Sequence, residues 1–322
     1  MPRLSILIPA YNAEKFIAKT IDSVLAQTYT DWELIIVEDK STDNSYRIIK
    51  QYEARCPEKI KAFQNDTNLG MMLNWNKGID LCKSELFVKL DADDIWQPTF
   101  LEKSIKILDK FPEVGLVFTK YVNIDKLDKI IPDTEIELPD FANERPFSTI
   151  PLVQQGHLKM LSYSILQQGL SVMRRAIFDE IGKYRYLITK KTQAATDSEF
   201  YFRVGLHYKI FCINETLYHY RMHTTSISRL DVENNVTGFK IYELKTTIFN
   251  YFHEQNKITD SFYISNINEI TFKYNIFLIQ YLFKKNNKLG GFCVFLKTLI
   301  FAPIKTLLFY KNRLLQRWKH LK

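Results

Sequence analysis

The chain has 322 residues, 46% of them hydrophobic and 14% aromatic, which is ample for one large domain or two ordinary ones. Ten Gly and ten Pro exclude low-complexity classes, and four scattered cysteines without a C-x-x-C pair indicate neither a zinc site nor a disulfide framework. Of 44 basic and 36 acidic residues, eight basic and no acidic ones fall in residues 288–322, so the rest is neutral and no nucleic-acid-binding patch is indicated on the folded part.

The first 120 residues alternate strand and helix patterns. Residues 4–9 read as a buried strand stopped by Pro9, and residues 14–26 as a helix with Ile17, Ile21, Val24 and Leu25 on one face. A strand at 33–37, a helix at 44–54 capped by Thr42 or Asp43, and a short strand at 59–64 follow. Then come a helix at 71–82, a strand at 86–90, a helix from Pro98 to Lys110 and a strand at 115–119. This order predicts an α/β fold with a mostly parallel sheet, helices on both faces, and ligands at the carboxyl ends of the strands. Residues 121–170 lose the pattern and read as a substrate-facing region or lid. After Asp231 the chain turns helical, Lys-rich and finally amphipathic.

Polar clusters fall at four strand ends: Tyr11 and Asn12; Glu38 and Asp39; Asn65, Asp66 and Asn68; Asp91, Asp93 and Asp94. Three carboxylates within four residues repel one another, and a hard divalent cation, Mn²⁺ or Mg²⁺, relieves the conflict while taking substrate phosphates as further ligands. An aromatic ring and a carboxylate at neighbouring strand ends suit a nucleobase. A dinucleotide fold would need G-x-G-x-x-G after the first strand, where Pro9-Ala10-Tyr11-Asn12-Ala13-Glu14 stands instead, and no Walker A sequence occurs.

Ser5-Ile6-Leu7-Ile8-Pro9-Ala10-Tyr11-Asn12, Ser23-Val24-Leu25-Ala26-Gln27-Thr28 and Val37-Glu38-Asp39-Lys40-Ser41-Thr42-Asp43-Asn44-Ser45 resemble the opening of family 2 glycosyltransferases of the GT-A fold. Asn68-Leu69-Gly70, Asn76-Lys77-Gly78-Ile79 and Leu90-Asp91-Ala92-Asp93-Asp94 continue the resemblance in order, over roughly residues 4–230. It implies that Pro9, Ala10 and Tyr11 line a nucleobase pocket, and that Asp39 accepts the uracil N–H. Asn68, Asn76, Asp91 and Ala92 complete the nucleotide site, Asp91 by the ribose. Asp93 would hold the metal, with Asp94 sharing that duty. Two departures stand out: Glu38 where Asp is usual, and Trp75 where Arg often stands. Trp75 reads as a packing residue.

Thr196-Asp197-Ser198-Glu199 precedes an aromatic helix. A sugar hydroxyl is a poor nucleophile at neutral pH and needs a positioned base. By resemblance that base is Asp197, rather than Glu199 further along the helix; Thr196 departs from an acidic position. Tyr218-His219-Tyr220-Arg221-Met222-His223-Thr224-Thr225-Ser226 resembles a closing H-x-x-S segment, read as a loop, with His223 reaching the metal or diphosphate and Arg221 offsetting phosphate charge. The expected function is an inverting, metal-dependent glycosyltransferase that uses a nucleotide-sugar donor, UDP-linked, and a glycan or lipid-linked acceptor. The alternatives are a nucleotidyltransferase and a non-catalytic sugar-nucleotide or glycan-binding module.

Residues 1–230 are expected to form the catalytic domain, and residues 231–322 a helical, membrane-associating region. The N-terminal apolar run is too short for a signal sequence or a span, and the tail is broken by Lys297, Pro303 and Lys305. Basic groups interleaved with Phe, Leu and Trp318 suit a helix lying on an anionic membrane. The expected location is cytoplasmic, peripheral on the inner face of the cell membrane.

Overall fold

A computed structural model describes residues 1–135, 144–150, 171–185, 196–224, 237–284 and 287–302. The chain forms two compact units, Met1–Leu230 and Asp231–Lys322. In the first, an eight-stranded mixed sheet has the order β3-β2-β1-β4-β7-β6-β8-β5. Its strands are β1 (Leu4–Ala10), β2 (Trp32–Glu38), β3 (Ile60–Gln64), β4 (Leu86–Lys89), β5 (Ile95–Trp96), β6 (Val114–Ile124), β7 (Val172–Arg174) and β8 (Lys209–Arg221). The helices are α1 (Ile17–Leu25), α2 (Ser45–Arg55), α3 (Met71–Leu81), α4 (Phe100–Lys110), α5 (Ala176–Ile181) and α6 (Thr196–His207).

The half of the sheet built from β1 to β4 is parallel. Its central strands are buried, which is why β1 and β2 read as near-continuous apolar runs. Register sets the position of the site. Ala10 lies beside Glu38, and Glu38 beside Gln64, so three strands end level. β4 stops sooner, with Lys89 opposite Leu7 and the Leu90 N–H on the Leu7 carbonyl at 2.9 Å. The acidic segment that follows therefore runs past the end of β1 rather than beyond the sheet.

Several boundaries differ from the sequence expectation. Helix α1 starts at Ile17, because residues 11–16 are needed as a loop: the Ala13 N–H donates to Ser45 Oγ at 2.7 Å, and Glu14 Oε2 accepts from the Asn44 N–H at 3.0 Å. Strand β6 continues to Ile124, four residues into the segment read as irregular from Tyr121 onward, paired with β8 through register shifts around Lys120. The stretch 218–221, expected as a loop, is the end of the 13-residue strand β8. β7 joins antiparallel between β4 and β6, and β5 pairs antiparallel with β8, so the sheet is mixed. Most of 136–170 lies outside the described residues.

Helix α1 and the turn that follows it carry a buried polar stripe. Thr20 Oγ1 donates to the carbonyls of Ala92 (3.1 Å) and Asp94 (2.9 Å), Ser23 Oγ accepts from the Trp96 N–H (3.3 Å), and Gln27 bridges the Gln97 carbonyl (2.8 Å) and the Leu101 N–H (3.0 Å). This stripe fixes the path of residues 92–101 and gives a physical reason for the Ser23 to Thr28 motif. Helix α3 approaches β1 so closely that a Cβ at Gly78 would fall 2.3 Å from Leu7 Cδ1. Gly78→Ala is expected to overpack this contact and lower stability by about 1–3 kcal/mol, read as a drop in the denaturant midpoint. An unchanged midpoint would show that Leu7 yields freely.

The second unit contains α7 (Thr237–Glu254), α8 (Asp260–Lys284) and α9 (Lys288–Phe301). Tyr242 stacks on Tyr274 with ring centroids 4.0 Å apart, and the Tyr263 hydroxyl donates to Asn250 Oδ1 at 2.9 Å, so α7 and α8 pack as a hairpin. Asn287 caps α9 by accepting from the Gly290 N–H at 2.9 Å. Leu289, Phe292, Leu296 and Ile300 are exposed along α9 at spacings of three and four residues. No helix among the described residues is long and apolar enough to cross a membrane. Residues 303–322, including Trp318, lie outside the described set.

Candidate active site

The level ends of β1, β2 and β3 bring three polar clusters together. Pro9 is half-buried, Ala10 is buried, and Tyr11 is 51% exposed, leaving its ring free to offer a face. Asn12 and Lys40 adopt left-handed backbone, with φ 48° and 59°. The two loops interlock: the Asn12 N–H donates to Ser41 Oγ (2.9 Å), and Asn12 Oδ1 accepts from the Thr42 N–H (2.9 Å). Glu38 is fully buried and accepts from the Ser41 N–H (2.6 Å) and Gln64 Nε2 (2.8 Å). Its longer side chain reaches across the turn, so the departure from Asp at this position has a structural use.

Asp39 is buried and organises the next loop. Its carboxylate accepts from Asn65 Nδ2 (2.7 Å), the Leu69 N–H (2.8 Å) and the Gly70 N–H (2.9 Å). Gly70 has φ 82°, a conformation that favours glycine. Asn68 Nδ2 returns to the Asp39 carbonyl at 3.0 Å. Three N–H groups fill three of roughly four acceptor directions on the carboxylate, leaving one. Asn76, by contrast, faces Tyr184, donating to its carbonyl at 2.8 Å.

The acidic segment is braced by the protein itself. Lys89, with a side chain 1% exposed, ion-pairs with Asp91. Its Nζ lies 4.4 Å from the centroid of the Trp75 ring. His223 Nε2 lies 2.8 Å from Asp93 Oδ2. Asp94 is buried; the Tyr218 hydroxyl donates to it, and so does the Arg221 N–H at 2.7 Å. Burial, then the neighbouring Asp93 and Asp91 charges, push the Asp94 carboxyl well above the usual carboxylate range. Burial also raises Asp91, and the Lys89 ammonium opposes that shift. Each carboxylate thus has its own partner, so repulsion alone does not call for a metal. Ala92 is buried beneath the turn.

Arg221 is not the exposed loop residue that the sequence implied. Its side chain is 0% exposed, ion-paired to Asp128, and donates to the carbonyls of Asp93 (2.6 Å) and Asp125 (3.0 Å). It fixes the backbone under Asp93. Phe16 packs beside both Arg221 and His223. Among the described residues no three His, Cys, Asp or Glu side chains could hold a metal by themselves. Asp93, with a 31% exposed side chain, and His223 present one oxygen and one nitrogen donor side by side; the carboxylate suits either cation, and the imidazole suits Mn²⁺ better than Mg²⁺, when phosphate oxygens complete the shell.

Asp197 lies in the first turn of α6, where the helix dipole favours a negative charge. Burial pushes the Tyr201 and Tyr184 phenols upward, and the charges of Asp197 and Asp91 both add to that shift. The candidate base and the candidate ribose carboxylate therefore act on the same pair of tyrosines. Glu199 is 2% exposed and bound by Arg203 (2.8 Å) and Arg185 (2.6 Å), a structural ion-pair cluster. Lys89, Tyr184 and Tyr201 escaped the sequence reading, although a lysine inside an apolar strand was a usable signal for a buried partner.

The model of glycosyl transferase family 2 matches residues 5–182. The glycosyltransferase EpsE of Bacillus subtilis is 35% identical over 125 residues, covering 39% of this chain and 45% of that protein. The chain spans less than half the length of the first curated relatives it matches. Among solved structures, S. aureus TarS in complex with UDP-GlcNAc superposes with a TM-score of 0.61 at 16% identity, covering 94% of this chain and 82% of that one. A mannosyltransferase of Pyrobaculum calidifontis in complex with GDP-Man and Mn²⁺ gives a TM-score of 0.57 at 14% identity, with 97% and 80% covered. The sheet and its flanking helices match a GT-A fold.

Proposed function

Because the chain belongs to glycosyl transferase family 2, we propose that it is an inverting glycosyltransferase that moves a sugar from a UDP-linked donor to a glycan or lipid-linked hydroxyl. The observation that carries this reading is the convergence on one sheet edge of Asp39 with one acceptor direction left, the Asp93–His223 pair, and Asp197 beside tyrosines that also sense Asp91. Pro9, Ala10 and Tyr11 border the base, which stacks on the Tyr11 ring. Asp39 accepts the uracil N–H, with Asn68 and Gly70 holding its loop. Asp91 takes a ribose hydroxyl.

Asp93 and His223 would hold the divalent cation, which when bound supplies Lewis-acid stabilisation to the departing diphosphate. Asp94, engaged by Tyr218 and Arg221, fixes the turn on which Asp93 stands. Asp197 takes the proton of the acceptor hydroxyl. The oxygen forms its bond to the anomeric carbon from the face opposite the diphosphate. The carbon–oxygen bond to phosphate breaks, and its electron pair leaves with the nucleoside diphosphate. The matched neighbours carry different bases, UDP in one and GDP in the other, so the uracil assignment rests on Asp39. With Mn²⁺ present, UDP is expected to raise the melting temperature and GDP to do so far less. Equal or greater stabilisation by GDP would reject the base assignment.

We further propose that the second unit rests on an anionic membrane, which would place the enzyme at the cytoplasmic face. The exposed apolar stripe of α9 and the eight basic residues of 288–322 support this. Truncation after Lys288 is expected to release the protein from anionic vesicles in a co-sedimentation assay, and high salt is expected to weaken full-length binding. Equal sedimentation of the two forms would refute the anchor.

A further inference from the structure

We infer that Lys89 is a positioning residue of the donor site: seated on the face of Trp75, it holds the Asp91 carboxylate in the orientation that receives the nucleotide. The inference rests on the donor reading above and deepens it. Lys89 is the last residue of β4, in a strand otherwise composed of Leu86, Phe87 and Val88. A lysine buried to 1% exposure is costly to desolvate unless its charge is matched. Two groups match it here. The Asp91 carboxylate receives one N–H, and the Trp75 ring lies 4.4 Å below Nζ, within the range of a cation–π contact. Trp75 is itself fixed, 3% exposed and edge-on to Tyr184 at 5.3 Å.

This arrangement explains the Trp75 departure. A cation is still present near the nucleotide side of the site, but it comes from β4 rather than α3. Because Lys89 Nζ is enclosed, it cannot bind the donor directly and can act only through Asp91, whose side chain keeps 27% exposure. Asp91 is thus held from below and open on its other side. Without Lys89, nothing holds the Asp91 carboxylate from below, and it loses its fixed direction.

The test is a mutant cycle on the full-length protein, read as UDP affinity by calorimetry with Mn²⁺ present, together with donor KM and kcat. Asp91→Asn is expected to weaken UDP. Lys89→Met is expected to weaken UDP about tenfold and raise donor KM, with a much smaller change in kcat at saturating donor. In the Asp91→Asn background, Lys89→Met is expected to change UDP affinity by less than about twofold, because the residue through which it acts is gone. Trp75→Phe, which keeps an aromatic face, is expected to lie closer to wild type than Trp75→Leu. If Lys89→Met fails to fold, Trp75→Leu takes its place in the cycle: it is expected to weaken UDP in the wild-type background and to change it by less than about twofold in Asp91→Asn, and no loss in wild type or an equal loss in both would overturn the inference. Wild-type UDP affinity in Lys89→Met alongside an impaired Asp91→Asn would overturn the inference while leaving the donor site standing. So would an equal loss from Lys89→Met in both backgrounds. Unchanged affinity in Asp91→Asn would overturn the ribose role of Asp91 and the inference with it.

Discussion

Asp197→Asn is expected to lower kcat at least ~10²-fold while UDP affinity stays within about twofold of wild type. Asn matches Asp in size and keeps a side-chain oxygen in the first turn of α6, so the helix start is little disturbed. What it loses is the ability to take a proton. Asp197 stands in the first turn of α6 and is assigned no part in holding the base, the ribose or the cation, so donor binding has no direct claim on it. Steady-state turnover with a saturating donor, beside UDP titration of the same preparation, separates the two effects. Retained turnover would remove Asp197 from the base role. Loss of UDP affinity at constant kcat would place it in the donor site instead. The neighbouring carboxylate provides a control, since Glu199 is bound by Arg203 and Arg185 and its replacement should act on stability first.

How much of this was legible beforehand depended on the element. β1, β2 and β4 are buried, so their sequences are short apolar runs with polar residues at the ends, and those ends form the candidate site. The mixed half was harder to read. β7 has only three residues, and β6 beyond Thr119 contains Lys120 and Asn123 between buried Tyr121, Val122 and Ile124, so a continuous strand looked like a polar break. β8 hid for a similar reason, since Asn214 and Glu215 interrupt it. That error carried over to Arg221, because a strand end inside a sheet buries what a loop would expose.

Charge compensation is equally invisible along the chain. From the sequence, Asp91, Asp93 and Asp94 were three uncompensated carboxylates. In space, Lys89 reaches Asp91 from two residues away, while His223, Tyr218 and Arg221 arrive from more than a hundred residues later. Spacing along the chain reports local partners, and the distant ones depend on β8 lying at the far edge of the sheet with β5. Asn76 is a comparable case. Its motif predicts a place by the nucleotide, and in the structure its amide donates to the Tyr184 carbonyl.

Asp93→Asn is expected to abolish measurable turnover and to weaken UDP in the presence of Mn²⁺, with little loss in melting temperature. Each carboxylate of the acidic cluster has a protein partner, so the cluster does not require a cation for its own stability. Asp93 alone of the three combines substantial side-chain exposure with a second metal-type donor, His223, at 2.8 Å. The carbonyl of Asp93 is held by Arg221 and the following residue by Tyr218, so the backbone should survive a change confined to the carboxylate. Asn is a weaker oxygen ligand without charge, and a diphosphate beside it would keep its own repulsion unrelieved. Three measurements define the outcome: turnover with added Mn²⁺ or Mg²⁺, turnover in excess EDTA, and UDP affinity with and without Mn²⁺. Wild type should lose activity in EDTA and recover it on metal addition. In Asp93→Asn, UDP affinity should be low and nearly indifferent to Mn²⁺, which a mere folding defect would not produce. Asp94→Asn should behave differently, lowering stability through the Tyr218 and Arg221 contacts while keeping a Mn²⁺-dependent gain in UDP affinity. Full wild-type activity in EDTA would reject the metal, and a Mn²⁺-dependent gain that survives in Asp93→Asn but vanishes in Asp94→Asn would exchange the roles of the two residues.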